Sequence, residues 1–584
     1  MHKDLRSFIS ALYKEKEIVE IDTEVDPYLE LAEIHRRVIE QGGSALLFTK
    51  VKGSKFPVVS NLFGTKRRID LAVGPKPELL VRNLVQALDK LLPPKVSALW
   101  QERNMLFDLT KIGVSNVRSS KAPIIEEQST ADLHQLPVLT GWQEDGGPFF
   151  TLPLIYTEHP SKHEHNLGMY RMQVFGKSQT GMHWQIHKGG GFHYHEAEKL
   201  NRPLAVTVFL GGPPALILSA IAPLPEVLPE LVFTSFLMGE KLETVKVGDN
   251  AHSLIARAEF ALCGEVPPKV RKMEGPFGDH YGYYSLEHEF PVFNIKKIFH
   301  RKDAIYPATV VGKPRQEDYY IGEYLQSLLS PIFPVVMPGV KELWTYAETG
   351  FHSLAAAVVR ESYYREALAH GFRILGEGQL TLTKILLLTN AEVNLPDFRM
   401  TLEEILKRFN PERDLLIIND TSMDTLDYTG RKFNKGSKAI ITGIGESIRE
   451  LPRVYPGHKL NKINKVKVFC GGCLLVSGET FSANPGLAES LIQAGEKLQE
   501  WPLVILVDDA DKINNQTEFL WTVFTRFDPA LDIYAQREIK QNKILYQGPI
   551  IIDARMKPHY PKELEPREDI VRLVDKKWKN YFQK

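Results

Sequence analysis

Two acidic residues flank a short run of glycine, proline and phenylalanine, and this pattern could perform acid–base chemistry. The segment runs from Glu274 through Gly-Pro-Phe-Gly to Asp279 and continues as His-Tyr-Gly-Tyr-Tyr284. Glycine and proline favour a tight turn that brings the two carboxyls together without a helix. Paired carboxyls in an aromatic setting can differ in pKa, so that one keeps its proton near neutral pH. The segment predicts either such a pair or a turn whose acids accept hydrogen bonds from backbone N–H groups.

A second concentration of polar side chains precedes this loop in the chain. We expect Asn166-Leu-Gly-Met-Tyr-Arg171 to open one strand and His183-Trp-Gln-Ile-His187 to form the next. Alternate side chains of a strand share a face, so His183, Gln185 and His187 would point the same way. His193 and His195 would form a second pair on one face of a strand. Imidazole together with amide or carboxylate oxygens suits a divalent ion such as Mn²⁺ or Mg²⁺. The alternative is that these histidines are hydrogen-bonded surface groups.

Arg171 and the glycine run that follows His187 could bind anions. Arg171 would hold one of the two acids ionised or bind a substrate carboxylate. The run Lys188-Gly189-Gly190-Gly191 could expose backbone N–H groups as an anion-binding nest, and a flexible turn is the alternative. Neither GxGxxG after a strand nor GxxxxGK followed by Ser or Thr occurs, so dinucleotide-binding and P-loop sites lack their usual signals.

In this order and spacing, these segments resemble the UbiD family of prenylated-flavin-dependent decarboxylases. The resemblance rests on Asn-x-Gly-x-Tyr-Arg, His-x-Gly-Gly and Glu-Gly-Pro-Phe-Gly-Asp, and it covers most of residues 55–450 and again 515–555. It implies a non-oxidative carboxy-lyase that removes CO2 from an aromatic acid through a covalent adduct with prenylated FMN. The implied substrates are quinone precursors, either 4-hydroxy-3-polyprenylbenzoate or 1,4-dihydroxy-6-naphthoate, which places the enzyme in ubiquinone or menaquinone biosynthesis.

The resemblance also implies three sets of site residues. The catalytic set is Arg171, Glu274 and Asp279, with Asp279 as proton donor. The cofactor-contacting set is Met169, Tyr170, Arg171, His183, Trp184, Gln185, Lys188 and Gly189. The metal ligands are Asn166, His187 and Glu230, which would hold Mn²⁺ or Mg²⁺ with K⁺ alongside and link the cofactor phosphate to the protein.

Two departures from the family pattern affect the cofactor-contacting set. Relatives that act on quinone precursors often read Arg-Trp-Leu and His-Arg-Gly, whereas this chain has His183-Trp-Gln185 and His187-Lys188-Gly. Lysine keeps the positive charge at position 188 but lacks the bidentate geometry of arginine.

Two other functions compete with the decarboxylase. A metal-dependent hydrolase would hold zinc with His183, His187, His193 or His195 and use Glu274 as base. A non-catalytic flavin-binding assembly protein would have a degenerate site, and the presence of all three catalytic residues argues against it.

The elements that must position these residues suggest three domains, with an α/β domain on each side of a central domain of short strands that is typical of a barrel or sandwich. Residues 1–115 show helical periodicity over 4–42 and near 77–92, with strands at 45–48 and 58–59. Residues 116–325 contain short strands at 168–176, 182–187, 204–210, 215–220 and 291–297, and the resemblance implies a split β-barrel there, like that of flavin reductases. Residues 326–584 alternate strands and helices, with a repeated unit at 386–441 and 504–552.

Composition limits the binding partners and the cellular compartment that we expect for this protein. The 584 residues carry 72 Lys and Arg against 72 Asp and Glu, so nucleic acid is not an expected partner. Cys263, Cys470 and Cys473 are too few for a disulfide framework and fit the reduced cytoplasm, and the two in Cys-Gly-Gly-Cys fit either a redox pair or buried small residues. Without a signal peptide or a membrane span, we expect a cytoplasmic protein, at most peripheral to a membrane. The resemblance implies a homo-oligomer supplied with cofactor by a flavin prenyltransferase.

Overall fold

The computed structural model describes residues 2–91, 107, 109–184, 189–224, 228–313 and 315–582. The chain forms two compact units, Met1–Leu328 with Lys562–Lys584, and Leu329–Pro561. Both combine sheets with helices, which confirms the expected multidomain α/β class. The three domain limits stay predictions. The described residues contain no helix with both the length and the apolar composition of a membrane span.

The first unit mixes helices and strands along the chain. Its helices are α1 (Leu5–Lys14), α2 (Glu30–Glu40), α3 (Lys66–Val73), α4 (Lys76–Leu91), α5 (Gly189–Lys199), α6 (Pro214–Ser219), α7 (Glu230–Met238), α8 (Glu317–Leu329) and the C-terminal helix Glu568–Phe582. Its strands are β1 (Ile18–Ile21), β2 (Ala45–Phe48), β3 (Val58–Ser60), β4 (Val114–Asn116), β5 (Glu127–Thr130), β6 (Phe149–Phe150), β7 (Leu154–Glu158), β8 (His165–Met169), β9 (Met172–Gln173), β10 (Gln179–Gly181), β11 (Leu204–Leu210), β12 (Leu242–Val245), β13 (Leu254–Ile255), β14 (Phe260–Val266), β15 (Arg271–Glu274), β16 (His288–His300) and β17 (Tyr306–Pro307).

One large sheet of the first unit supports the candidate site. Its strand order is β10-β16-β14-β11-β7-β8, and β15 and β5 also pair with β16. The apolar strand β11 pairs antiparallel with β14 along its whole length, which anchors the centre of the sheet. Smaller sheets have the orders β1-β2-β3-β17, β13-β12-β4 and β6-β9. In the described residues none of these sheets closes on itself, so the split barrel stays a prediction.

Three local expectations are wrong. Residues 215–220, expected as a strand, lie mostly in α6, which starts at Pro214 and is buried at every position, so it has no apolar period that would reveal a helix. Of the strand expected at 182–187, residues 182–184 are irregular because β10 stops at Gly181, and residues 185–187 lie outside the described part of the chain. His193 and His195 lie in helix α5 rather than a strand, so one is buried and the other exposed.

The second unit contains two sheets with the same strand arrangement. Its strands are β18 (Val340–Thr345), β19 (Leu354–Val359), β20 (Ile385–Thr389), β21 (Leu415–Ser422), β22 (Lys435–Gly443), β23 (Ile463–Cys470), β24 (Cys473–Gly478), β25 (Leu503–Val507), β26 (Ile533–Lys540) and β27 (Lys543–Asp553). Its helices are α9 (Phe333–Val336), α10 (Glu366–Leu375), α11 (Phe398–Leu406), α12 (Pro411–Asp414), α13 (Leu487–Ile492), α14 (Gly495–Leu498), α15 (Gln516–Phe524) and α16 (Pro529–Asp532).

The two sheets have the orders β18-β19-β20-β22-β21 and β23-β24-β25-β27-β26. In each sheet three parallel strands are flanked by an antiparallel strand on both sides. The central strands β20 and β25 are apolar and buried along their length, as expected for parallel strands covered on both faces. The three cysteines of the chain are free and buried.

Candidate active site

Arg171 is bonded to both acids of the glycine-proline loop. It lies between β8 and β9, and its Nε donates to Glu274 Oε1 at 3.0 Å. Its Nη1 donates to Asp279 Oδ2, and its Nη2 donates to Ser285 Oγ at 3.0 Å. The side chains of Arg171, Glu274 and Asp279 are 8%, 1% and 10% exposed, so this is an ion-pair network largely removed from water. The structure therefore brings together the three residues predicted as the catalytic set.

The loop that carries Asp279 is held from its other side by Asp145. Asp145 Oδ1 accepts the Gly278 N–H at 2.8 Å, while its Oδ2 accepts the N–H groups of Gly141 and Trp142 at 2.9 and 2.8 Å. Burial raises the pKa of Asp145 to about 6, against these three hydrogen bonds. Asp145 therefore ties a separate segment of the chain to the residue that immediately precedes Asp279.

A glutamine and a serine orient the remaining parts of the loop. The Gly275 N–H donates to Gln173 Oε1 at 2.8 Å, and Gln173 Nε2 donates to the Gly146 carbonyl at 2.6 Å. The Phe277 N–H donates to Ser285 Oγ at 3.1 Å, the same oxygen that accepts from Arg171. These contacts fix the backbone on both sides of the acids.

Both carboxyls are held in the ionised form. Burial would raise the pKa of Glu274, but the charge of Arg171 and the hydrogen bonds from Arg171 and His183 outweigh it, and the pKa lies below its usual range. Burial likewise opposes the ionisation of Asp279, but Arg171 and His280 outweigh it and hold its pKa well below the usual range. At neutral pH the network therefore contains one guanidinium between two carboxylates.

His183 extends the network on the side of Glu274. Its Nδ1 lies 2.8 Å from Glu274 Oε1, and its ring lies against Phe290 with a centroid separation of 4.2 Å. Burial and the positive charge of Arg171 lower the pKa of His183, so the neutral ring donates its Nδ1–H to Glu274. Buried polar atoms here have no hydrogen-bond partner among the described residues, namely His183 Nε2, Glu274 Oε2 and Trp184 Nε1.

Asn166 and Glu230, two of the predicted metal ligands, belong to neighbouring elements. Asn166 lies in β8, and Glu230, the first residue of α7, accepts the N–H of the next β8 residue, Leu167, at 3.3 Å. The third predicted ligand, His187, lies outside the described residues, as do Gln185 and Lys188. Among the described residues no group of three or more His, Cys, Asp and Glu is arranged to hold a metal ion. The metal site stays a prediction.

Glycines at the start of α5 allow the helix to pack closely against two predicted site residues. A Cβ on Gly189 would lie 2.3 Å from Asn166 Oδ1, and one on Gly190 would lie 2.7 Å from Trp184 Nε1. Trp184 is buried, as is Tyr170, while Met169 at the end of β8 is half-buried. The glycine run is therefore the first turn of a helix, rather than a flexible turn, and its missing side chains let the helix backbone lie directly against Asn166 and Trp184.

The histidines proposed for a zinc hydrolase do not form a common site in the described residues. His193 is buried in α5 and its Nδ1 lies 2.9 Å from Thr157 Oγ1, whereas His195 on the same helix is exposed. His183 is bonded to Glu274, so the carboxylate assigned as a free base is already occupied by two partners.

Four further residues of this site were not predicted from the sequence: Asp145, Gln173, His280 and Ser285. His280 and Ser285 lie within or directly after the acidic loop, so their position was a usable signal. Asp145 and Gln173 reach the loop only through the fold, and nothing in their local sequence indicates it.

Family models match three parts of the chain. The model of the 3-octaprenyl-4-hydroxybenzoate carboxy-lyase N-terminal domain matches residues 9–88, and that of its Rift-related domain matches residues 115–314. The C-terminal domain model matches residues 319–443 and 451–553. This chain belongs to the UbiD family. Members of this family are carboxy-lyases, and the buried Arg171 network lies within the Rift-related domain.

Relatives of this UbiD family protein include both sequences and solved structures. A Chlamydia pneumoniae protein, named as a subunit of 4-hydroxybenzoate decarboxylase, is 50% identical over 580 residues, which cover 99% of this chain and 98% of the relative. The closed form of vanillic acid decarboxylase from Sedimentibacter hydroxybenzoicus has a TM-score of 0.68 at 24% identity, covering 79% of this chain and 95% of that one. The UbiD-class enzyme HmfF from Pelotomaculum thermopropionicum, in an evolved dimeric form in complex with prFMN, has a TM-score of 0.62 at 23% identity, covering 78% and 98%.

Proposed function

We propose that this carboxy-lyase removes CO2 from a hydroxylated aromatic acid that is a precursor of a quinone. The observation that carries the proposal is one buried guanidinium bonded to two carboxylates, because it joins a group that can bind an anionic substrate to a group that can move a proton. The name of the Chlamydia pneumoniae relative supports a hydroxybenzoate. The two candidate substrates are 4-hydroxy-3-polyprenylbenzoate and 1,4-dihydroxy-6-naphthoate.

The reaction requires a cofactor, because loss of CO2 from an aromatic carbon leaves electrons that no side chain of the site can accept. Prenylated FMN would supply that electron sink. His183 Nε2 and Trp184 Nε1, which have no hydrogen-bond partner among the described residues, could bond a polar ligand. Met169, Tyr170, Gln185 and Lys188 complete the proposed cofactor-binding set.

We assign the metal site to Asn166, His187 and Glu230, which would hold Mn²⁺ or Mg²⁺, with K⁺ alongside, next to the cofactor phosphate. Amide, imidazole and carboxylate donors suit such ions. Burial raises the pKa of Glu230, a cost that a bound cation would remove.

The chain's own residues contribute orientation, exclusion of water and proton transfer. Glu274 accepts from Arg171 and from His183, so it fixes the plane of the guanidinium. Arg171 then presents its charge to the substrate carboxylate. After CO2 leaves, the vacated ring carbon needs one proton, and Asp279 delivers it, so that Ar–COO⁻ and H⁺ yield Ar–H and CO2. The burial of all three side chains excludes water from this step.

The test is CO2 release by protein co-produced with a flavin prenyltransferase, in the presence of Mn²⁺ and K⁺. Both candidate acids are offered, and protein made without the prenyltransferase is the control. We expect release from one acid, and no release from Asp279→Asn although its flavin absorbance is unchanged. Turnover by fully loaded Asp279→Asn would refute the role of Asp279. Zinc-dependent hydrolysis without flavin absorbance would refute the proposed function itself.

We also propose that the protein acts as a cytoplasmic homo-oligomer that receives its cofactor from the flavin prenyltransferase of the host. The family resemblance supports this, and light scattering of the purified holoenzyme measures the oligomeric state. A monomeric mass would contradict it.

A further inference from the structure

The proton that completes the reaction has no stable place on Asp279. Asp279 Oδ2 accepts from Arg171 Nη1. Its Oδ1 accepts the backbone N–H of His280 at 2.7 Å and also faces His280 Nδ1 at 2.7 Å. Both oxygens are therefore occupied by donors, which favours the carboxylate over the acid. A residue that must donate one proton in every turnover needs a neighbour that supplies it at the moment of transfer.

His280 is the neighbour that connects Asp279 to water. Its side chain is 29% exposed, whereas the side chains of Asp279 and Arg171 are 10% and 8% exposed. Its Nδ1 is at hydrogen-bonding distance from Asp279 Oδ1, so a proton can pass between them without movement of either residue. Imidazole is also the side chain that exchanges protons most readily near neutral pH.

The charges around His280 favour its protonated form. Asp279 contacts it directly, and the buried Asp318 near the start of α8 interacts with it electrostatically. Arg171 lies beyond Asp279 and is bonded to that carboxylate, so its charge is largely compensated there. The ring of Tyr281 packs against His280 with a centroid separation of 5.2 Å and adds no charge at neutral pH.

We propose that His280 recharges Asp279 with the proton consumed in each turnover. The imidazolium breaks its Nδ1–H bond as Asp279 Oδ1 forms an O–H bond. That O–H bond then breaks as the ring carbon vacated by CO2 forms its C–H bond. His280 finally regains a proton from solvent, so each turnover consumes one solvent proton and requires no oxidant or reductant. His280 acts through Asp279 and is a positioning and relay residue, and the assignment rests on the proposed decarboxylation.

The matched substitution is His280→Asn, whose side-chain amide can occupy the position of Nδ1 and donate to Asp279 but cannot titrate. We expect kcat to fall on the order of 10²-fold, the lower end of what positioned proton transfer contributes, with flavin absorbance unchanged. The fall in wild-type kcat at alkaline pH, where His280 loses its proton, should be absent from the variant. Imidazole added to His280→Gly should restore part of the rate. The control is His134→Asn, which removes an exposed histidine outside the site and should change none of these values.

A second experiment needs neither cofactor nor turnover. NMR titration of imidazole-labelled apoprotein follows His280 in the wild type and in Asp279→Asn, where the charge of its partner is removed. We expect His280 to lose its proton at lower pH in the variant than in the wild type. An unchanged titration, or an alkaline limb of kcat that persists in His280→Asn, would overturn the relay. Failure of decarboxylation with a normal NMR result would instead refute the proposed function and leave the His280–Asp279 coupling established.

Discussion

The substitution Gly278→Ala tests whether the acidic loop is positioned by contact with Trp142. A Cβ at this position would lie 2.1 Å from Trp142 Cδ1, whereas carbon atoms in contact are separated by about 3.5 Å or more. The distance between the new Cβ and Trp142 Cδ1 must therefore increase by about 1.4 Å. Trp142 cannot readily move, because Arg36 Cζ lies 4.1 Å from its ring centroid and its Nε1 donates to the Val311 carbonyl at 2.9 Å. The loop must shift instead, and Asp279 is its next residue.

Overpacking of this kind typically lowers the free energy of unfolding by 1–3 kcal/mol, and the fixed position of Trp142 argues for a loss of about 3 kcal/mol. A displacement of Asp279 by about 1 Å would lower kcat by on the order of 10²-fold. Urea unfolding of the apoprotein, followed by tryptophan fluorescence, measures the first effect, and CO2 release by the loaded enzyme measures the second. KM should change less than kcat, because Arg171 lies outside the loop.

The control is Gly176→Ala, because a Cβ there would meet no atom within 4 Å. The same glycine-to-alanine change should then leave the unfolding midpoint and kcat near their wild-type values. If Gly278→Ala kept the wild-type midpoint and the wild-type kcat, the loop would tolerate displacement, and the argument that Trp142 positions Asp279 would fail.

Two further predictions concern the groups on either side of the loop. Burial raises the pKa of Asp145 from 3.8 to about 6, so this residue's contribution to stability is present below pH 3.8 and is lost as pH rises through 6. Asp145→Asn lacks that loss, and its unfolding free energy relative to wild type should rise by about 2.5 kcal/mol between pH 4 and pH 7; a constant difference in urea unfolding would contradict this. Arg171→Lys keeps the positive charge, but an ammonium group cannot bond Glu274, Asp279 and Ser285 with the geometry of one planar guanidinium. We therefore expect kcat to fall on the order of 10²-fold. A wild-type kcat in the cofactor-loaded variant would count against the shared guanidinium.

The elements that could be predicted from the sequence are those whose pattern of apolar and polar residues matches their burial in the fold. The apolar run Leu204–Leu210 is a strand as expected, and Leu5–Lys14 is a helix with its apolar residues at helical spacing. Pro214–Ser219 could not be recognised, because a helix buried on all sides has no polar face to reveal its period. The histidines of α5 were misplaced because a glycine run resembles a turn when its helical continuation is unknown.

The same distinction applies to the site. The proximity of Glu274 and Asp279 could be predicted because both lie in one turn-forming segment, and the resemblance added Arg171. The contact between Asp145 and Gly278 depends on how distant segments meet in the folded chain, which no local pattern records. The role of His280 could not be predicted for a different reason. Its position next to Asp279 is visible in the sequence, but the exposure of its side chain and its distance from Asp279 Oδ1 are not.

The single guanidinium shared by two carboxylates also sets an order of events. The proposed relay starts with His280 protonated, and in that state Arg171 and His280 balance the charges of Glu274 and Asp279, so that these four groups are electrically neutral. With the proposed relay, each turnover removes one proton and leaves a net charge of −1. A second aromatic carboxylate would then approach a like charge in a site of low dielectric constant, where repulsion is strong. Reloading of the proton therefore precedes binding of the next anionic acid, and the affinity for that acid should fall as the pH rises.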